Sequence, residues 1–477
     1  MLCKFDFKPI WAVAVVLAAT LMQGHLVHAA EPYPWKAGAA SIVITPEKPL
    51  RLADSFNGFH LSFGIVQDIR ADALVLEDAK GTKMVFLTCD ANKMPPEIRS
   101  YVEKQLAEKY RIPPESLLIN VSSIHTAPIL DAMVFKYYRE ISESQRRDGL
   151  AYIDQFRQKL IKVVDQAFQN REPARIDYSV GKADFAMRCR RLNQKEKRTF
   201  WPEGPTEHDV PVLRVSDRSG KKLLAVLFGY ACQGRTFEGS MIYGGVAGFA
   251  RDFLREKHPK SVFLFLNGCG GDQYPYTEKD TFDEFRKLGR ELAQVVEECT
   301  RKASRPVKGP LALVLEPVSL SCEKALPRRT LINWEKEQRG SRRARAKALL
   351  DQLQQHGKIS TECSVPIQVV QFDHDLLMIA LPSEPMADYS LRFKETFGSK
   401  IPTWVAGFCN VSVGRLPTLN AQQGEEGEGG DDGDSAIKNF SLVLSGPFDE
   451  TVEQRIVQKV HELVKKTAVR AGESSPD

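Results

Sequence analysis

Two periodicities alternate along this chain, and together they leave few architectures open. Short apolar, β-branched runs predict strands at Ala71–Glu77, Met84–Cys89, Ser116–Val121, Val210–Val215, Leu223–Tyr230, Ser261–Leu266, Leu311–Val318, Ile367–Phe372 and Leu376–Leu381. Longer stretches with helical spacing predict helices over Pro95–Tyr110, Gly149–Gln169, Gly245–His258, Thr281–Arg301, Asn333–Gln355, Met386–Thr396 and Glu450–Lys466. Each strand or helix must bury its apolar face on another element, so the alternation predicts a layered α/β protein with helices flanking the sheet. Several strands follow one another with only a turn between them, which predicts a mixed sheet. No internal repeat is visible. Two segments differ in kind. Glu335 to Gln355 is charged nearly all round and predicts a solvated surface helix. Gln422 to Ser435, rich in Gly, Glu and Asp, holds too little apolar surface to fold alone and predicts a mobile acidic loop. That loop lacks the alternating ligand spacing of an EF-hand, so calcium is not expected there.

The first residues read as an address. Lys4 and Lys8, the apolar run Ile10 to Met22 and the small-residue pattern Val27-His28-Ala29 predict a signal peptide over residues 1–29. The alternative is a retained anchor, but the run falls short of the ~20 apolar residues a membrane span needs. No later stretch is apolar enough to span, so after cleavage a soluble, secreted or periplasmic protein is expected. One domain is expected over residues 30–470, within the size of one large or two ordinary domains, with a disordered tail at 471–477. A net charge of +5, partly from local runs such as Arg339 to Lys347, is too mild for a nucleic-acid partner. The cysteines outside the signal peptide show no CxxC and no dense framework, and several lie in strand-like runs. Buried thiols are expected rather than bridges, although an exported chain can oxidise.

Seven segments, in order, carry a resemblance. The opening Ala37-Gly38-Ala39-Ala40-Ser41-Ile42-Val43-Ile44-Thr45-Pro46 and the segment Gly64-Ile65-Val66-Gln67-Asp68 with its following strand Ala71 to Leu76 come first. Ser122-Ser123-Ile124-His125-Thr126-Ala127-Pro128, Tyr230 to Thr236, Leu266 to Pro275, Ala380 to Pro385 and Gly414 to Pro417 follow. In this order they resemble the amino-terminal catalytic domain of neutral/alkaline non-lysosomal ceramidases. That resemblance implies a zinc amidohydrolase of N-acyl sphingolipid-type amides, in which zinc-bound water attacks the amide. The family's full-length ceramidases add a carboxy-terminal β-sandwich, which this chain is not expected to carry; that weakens any expectation of ceramide specificity.

The same resemblance locates a site and a deficit. Where family members place a ligand histidine two residues before a second, substrate-facing one, this chain has Ser123 and then His125. Gln233 stands for the second ligand histidine, and Arg415 for the ligand tyrosine. Glu384 alone keeps its ligand identity. The Gly-rich turn Leu266 to Pro275 is the closest match and lines the family's cleavage pocket, making Gly271, Asp272 and Tyr274 candidate catalytic residues beside His125. Family members carry a serine near Tyr274, where a tyrosine fills space. Glycines there permit close backbone approach and offer N–H groups to a carbonyl oxygen or an anion; a tight structural turn is the plainer reading.

Catalytic zinc wants about three imidazole, thiolate or carboxylate ligands and one open position. A serine hydroxyl and a glutamine amide are weak donors to zinc, and a guanidinium repels it. The site is therefore expected to hold no zinc, with Glu384 the only ligand if any metal binds. A relocated metal on His125, Cys232 and Glu384 fits no compact zinc spacing. His208 and His374 read as surface or satisfied core residues. A buried Glu384 without its metal needs a counter-charge, and Arg415 is the candidate. Three readings stay open: a degenerate site kept for binding an amide-containing lipid or small molecule, an active hydrolase rebuilt on His125 and Glu384, or a non-catalytic lipid- or surface-binding protein.

Overall fold

The computed structural model describes residues 35–53, 59–190, 199–234, 240–279, 281–302, 304–323, 325–423, 442 and 444–471. The predicted signal peptide, residues 424–435 of the acidic loop and residues 472–477 of the tail lie outside the described residues. The described strands fall chiefly in one sheet. Its principal members are β1 (Trp35–Val43), β2 (Arg70–Glu77), β3 (Lys83–Cys89), β4 (Leu117–Val121), β5 (Glu172–Lys182) and β6 (Asp209–Asp217). They continue with β7 (Leu223–Tyr230), β8 (Val262–Asn267), β9 (Leu311–Ser321), β10 (Glu362–Phe372), β11 (Leu376–Pro382) and β12 (Thr403–Cys409). The order across the sheet is β8-β7-β6-β5-β1-β2-β3-β4-β12-β11-β10-β9. Parallel pairs (β7 with β8, β3 with β4, β11 with β12) sit among antiparallel ones, so the sheet is mixed as expected.

Both faces of this sheet are buried, which is why its strands read as near-continuous apolar runs. Side chains alternate across a strand, and here they sort into different cores. Leu74, Leu76, Phe86, Leu118, Leu227, Leu264, Met378 and Trp404 enter one apolar cluster shared by strands from across the sheet. Their neighbours face helices instead. Ala73, Val75, Val85 and Ile119 pack under α1 (Pro96–Tyr110) and α2 (Glu143–Gln169). Val226, Phe228 and Phe265 pack under α3 (Gly245–Lys257) and α4 (Phe282–Arg301). Val369, Ile379 and Val405 pack against α6 (Ala387–Phe397) and α7 (Val452–Ala471). No described helix is long and apolar enough to cross a membrane.

Some expectations need correction. The single helix expected over Asn333–Gln355 is two, Arg328–Glu337 and α5 (Gly340–His356), separated where Gly340 takes a left-handed φ of 58°. α5 is not a solvated helix: Arg343, Ala344, Arg345, Ala346, Ala348 and Leu349 are buried. Its arginines are accommodated because their guanidinium groups reach distant backbone oxygens, Arg343 to Tyr137 at 3.0 Å and Arg345 to Leu444 and Ser445 at 3.1 and 3.0 Å. α2 begins before the predicted Gly149, since Ser142 and Gln145 form a capping box that starts it at Glu143. α7 runs to Ala471, so the first residue of the predicted tail is helical. No disulfide links cysteines among the described residues, and Cys89, Cys232, Cys269, Cys299, Cys322 and Cys409 are buried.

A buried ion cluster fixes α3 against the sheet. Arg251 donates from Nη1 to Asp72 Oδ2 at 2.7 Å and from Nη2 to Asp90, and all three side chains are almost wholly inaccessible. Removing the arginine leaves Asp90 without its buried cation and Asp72 with only Arg255, at 3.9 Å. Arg251→Met is expected to cost about 3–5 kcal/mol of unfolding free energy in urea denaturation followed by circular dichroism.

Candidate functional site

Five strands deliver their carboxy-terminal ends to one place, and the site is built from the residues just beyond them. Ser123 follows β4, Gln233 follows β7, the Gly268 to Gln273 turn follows β8, Glu384 follows β11 and Arg415 follows β12. The wholly buried Asn120 stitches three of these ends together. Its Nδ2 donates to Gly407 O at 2.7 Å and Asn267 O at 3.3 Å, while its Oδ1 accepts from Asn267 N at 2.8 Å.

Glu384 is the centre of the cluster. Gln233 Nε2 donates to Glu384 Oε2 at 3.2 Å and to Gly271 O at 3.1 Å. Arg415 Nε lies 3.9 Å from the same Oε2, with both side chains nearly inaccessible. Local backbone pairing forces this proximity: Glu384–Pro385 and Arg415–Leu416 form a short parallel pair with Glu384 opposite Arg415, and Glu384 N donates to Gly414 O at 3.1 Å. Arg415 Nη2 also donates to Tyr274 Oη at 3.2 Å, so Tyr274 helps hold the guanidinium. Sequence reasoning missed Lys93. Burial holds its ammonium below the usual range, with the charges of Glu384 and Asp131 opposing that shift. Its one legible signal was position, in the polar segment Asp90-Ala91-Asn92-Lys93 directly after β3.

Backbone strain marks the same place. Ser123 and Ser383, the residue before Glu384, have φ of 58° and 60°, a region that side-chain-bearing residues rarely occupy. The Ser123 hydroxyl is buried and has no hydrogen-bond partner among the described residues. A Cβ on Gly234 would stand 2.8 Å from Ser123 O, so the loop after β4 touches the turn carrying Gln233. His125 is on that loop and partly exposed, and Thr126 pins the loop by donating to Tyr243 O at 2.7 Å.

The Gly-rich turn bonds closely to its surroundings. Gly268 N donates to Tyr230 O, Gly270 N to Gly268 O and Gly271 N to Pro385 O, so these N–H groups are committed within the protein. The glycines serve close backbone approach: a Cβ on Gly271 would stand 2.6 Å from Glu384 O, and one on Gly270 2.6 Å from Cys232 N. Asp272 is equally committed. Its carboxylate takes Arg188 Nε at 2.7 Å and Ala387 N at 2.9 Å, and Arg188 extends to Asp388, tying the turn to the start of α6. The cavities beside the cluster are small. One of about 20 Å³ is lined by Ser122, Ile124, Gln233 and Gly234, and one of about 50 Å³ by Asn92, Lys93 and Asp131 with Phe59, Val134 and Tyr138. The first is of water size.

The donors gathered here do not fit zinc. Around Glu384 stand an amide N–H and a guanidinium, both of which present hydrogens rather than lone pairs. Cys232 offers no replacement, because it packs in an apolar cluster with Phe185, Tyr230 and Phe265, and burial pushes its thiol up and away from the thiolate form. His208 and His374 lie elsewhere, beside Asp184 and Asp373 respectively.

No family model matches the sequence, and no curated protein matches it. Solved structures do. The chain is similar to neutral ceramidase from Pseudomonas aeruginosa with a TM-score of 0.69, at 16% identity over 93% of this chain and 77% of that one. The chain has a neutral-ceramidase-like fold. It is similar also to a ceramidase complexed with C2, with a TM-score of 0.66 at 15% identity over 93% of this chain and 76% of that one. At such identities the likeness establishes the ceramidase-like architecture, while the chemistry rests on the residues described above.

A double-mutant cycle tests the pair at its centre. Arg415→Met is expected to lose about 3 kcal/mol of unfolding free energy, because Glu384 stays buried without its adjacent guanidinium. Adding Glu384→Gln is expected to return part of that loss, giving a double variant at least ~1 kcal/mol more stable than the sum of the single effects in urea unfolding.

Proposed function

We propose that this is an exported protein of neutral-ceramidase-like fold whose former metal site is closed by organic groups, and which does not hydrolyse amides through zinc. One observation carries the reading. The retained carboxylate, Glu384, receives Gln233 Nε2 at 3.2 Å and lies 3.9 Å from Arg415 Nε on the same oxygen. Buried carboxylates need such partners. The cation that would otherwise activate water is replaced by groups that cannot do so. Gly271 and Asp272 spend their polar groups on Pro385, Arg188 and Ala387, which argues for a positioning role for both rather than a catalytic one. His125 then has no activated water to serve as acid or base. The ligand to be sought is an amide-containing lipid or small molecule, the class implied by the resemblance.

Metal content and its engineered recovery test this reading. After incubation with zinc and desalting, the natural protein is expected to retain substoichiometric metal and to leave N-acyl sphingosine and simpler N-acyl amides intact. The variant Ser123→His/Gln233→His/Arg415→Tyr is expected to take up about one zinc per chain, since it restores a donor set of the kind zinc binds. Stoichiometric zinc in the natural protein, with amide hydrolysis abolished by His125→Ala or Glu384→Ala, would overturn the proposal in favour of a rebuilt hydrolase.

A further inference from the structure

A cavity of about 420 Å³ lies far along the fold from the Glu384 cluster, where the β10–β11 turn and the end of α6 meet α7. Its size is that of a small-molecule site, which is typically a largely apolar concavity with a few placed polar groups. The floor is apolar: Leu377, Phe397, Ile401, Val464 and Ala468 line it. Phe397 is further braced by the ring of His461, whose centroid lies 5.1 Å away. The rim is basic. Lys400 and Lys465 both line it with exposed side chains, one on the turn after α6 and one on α7, and neither has an ion-pair partner among the described residues. The neighbouring lysines of α7 differ in this respect, Lys459 and Lys466 both being paired with Glu316. His374 completes the rim beside Asp373, at 3.8 Å, so the two lysines supply its uncompensated charge. Among the described residues, no acidic side chain lines the cavity.

We propose that this cavity is a binding site for an aliphatic carboxylate, with the chain lying on the Leu377, Phe397, Ile401 and Val464 floor and the headgroup between Lys400 and Lys465. An apolar trough selects for hydrocarbon, and two unpaired ammonium groups at its mouth select for an anion over a cation or a neutral head. The inference is independent of what happens at Glu384.

Calorimetric titration of the full chain with decanoate, below its micelle concentration, tests it. Saturable one-to-one binding is expected. Affinity is expected to fall about fourfold for each methylene removed from the chain. The variant Lys400→Glu/Lys465→Glu, which alters two exposed side chains, is expected to weaken decanoate at least about tenfold while changing decanol binding less than twofold. Val464→Asp, placed on the floor, is expected to weaken both. Absence of saturable binding, equal binding of decyltrimethylammonium, or indifference of decanoate to the charge reversals would overturn the proposal. So would self-association in sedimentation that the charge reversals abolish, because that outcome assigns the groove to a second copy of the chain.

Discussion

The placement of the candidate site depends on one buried amide. Asn120 sits at the end of β4 with no solvent exposure and joins that strand to β8 and β12 through hydrogen bonds to Asn267, Gly407 and Cys409. Strands that are neither consecutive nor all parallel do not align their ends by main-chain pairing alone. The bridge between Asn120 and Cys409 is the only β-register described between β4 and β12. A side chain that both donates and accepts across these ends therefore does what a longer ladder does elsewhere, and in a dry interior each of those bonds is worth more than in water. Beyond the three joined ends the chain immediately enters the Ser123 loop, the Gly-rich turn and the segment leading to Arg415. Positive φ values at Ser123, Phe408 and Asn410 show that the backbone bends sharply there. Such conformations persist only where the surroundings fix them. Asn410 is fixed in this way, since its amide donates to Gln368 Oε1 at 2.9 Å and its oxygen accepts from Ile119 N at 3.2 Å and from Arg99.

Much of the fold was legible because the sheet is buried on both faces. Runs such as Leu223–Tyr230 and Leu376–Pro382 have few polar interruptions, and the helices that cover them carry clear apolar stripes. Legibility failed at the wholly buried β12, whose short apolar run is interrupted by Gly407, and where burial was one-sided or was achieved by polar means. β5 alternates buried and exposed residues and contains Pro173 and Gly181, so it lacks a strand-like apolar run. α5 looks solvated because its buried face includes Arg343 and Arg345, whose compensating acceptors lie on Tyr137, Leu444 and Ser445. Nothing near α5 in sequence announces those partners. A pattern of charges reports exposure only when the charges find no internal acceptor, and that depends on tertiary structure.

The site divides the same way. Gln233, Glu384, Arg415 and Tyr274 were nominated from separate segments and are joined by described contacts, because each follows a strand end and strand ends converge. Chemical role was harder to read than position. A glycine-rich turn has the same sequence whether its N–H groups face a ligand or face Pro385 and Tyr230, and here they face the protein. An aspartate in such a turn looks available until Arg188, in a strand of another small sheet, is found against it. Lys93 illustrates the converse: a single lysine after a strand carries no motif, and only its electrostatic reach to Glu384 and Asp131 gives it a place in the site.

On the proposed reading, the replacements at Gln233 and Arg415 are coupled through Glu384 rather than independent losses. Glu384 in its pocket demands positive charge, and either a metal or a guanidinium supplies it. Once Arg415 lies beside that carboxylate, a divalent ion arriving there meets a buried cation, and their repulsion grows in a low-dielectric interior. The reverse also holds, since a bound metal would leave Arg415 buried beside a site already neutralised. On this reading the two arrangements exclude one another. Gln233 adds to the lock: its Nε2 spans Glu384 and Gly271 O, so restoring an imidazole there also releases a backbone acceptor of the Gly-rich turn. Returning Arg415 to a neutral residue alone leaves the buried Glu384 carboxylate without its guanidinium. On that reading, charge balance around Glu384 ties the residues at 233 and 415 to one another and to the polar packing around them.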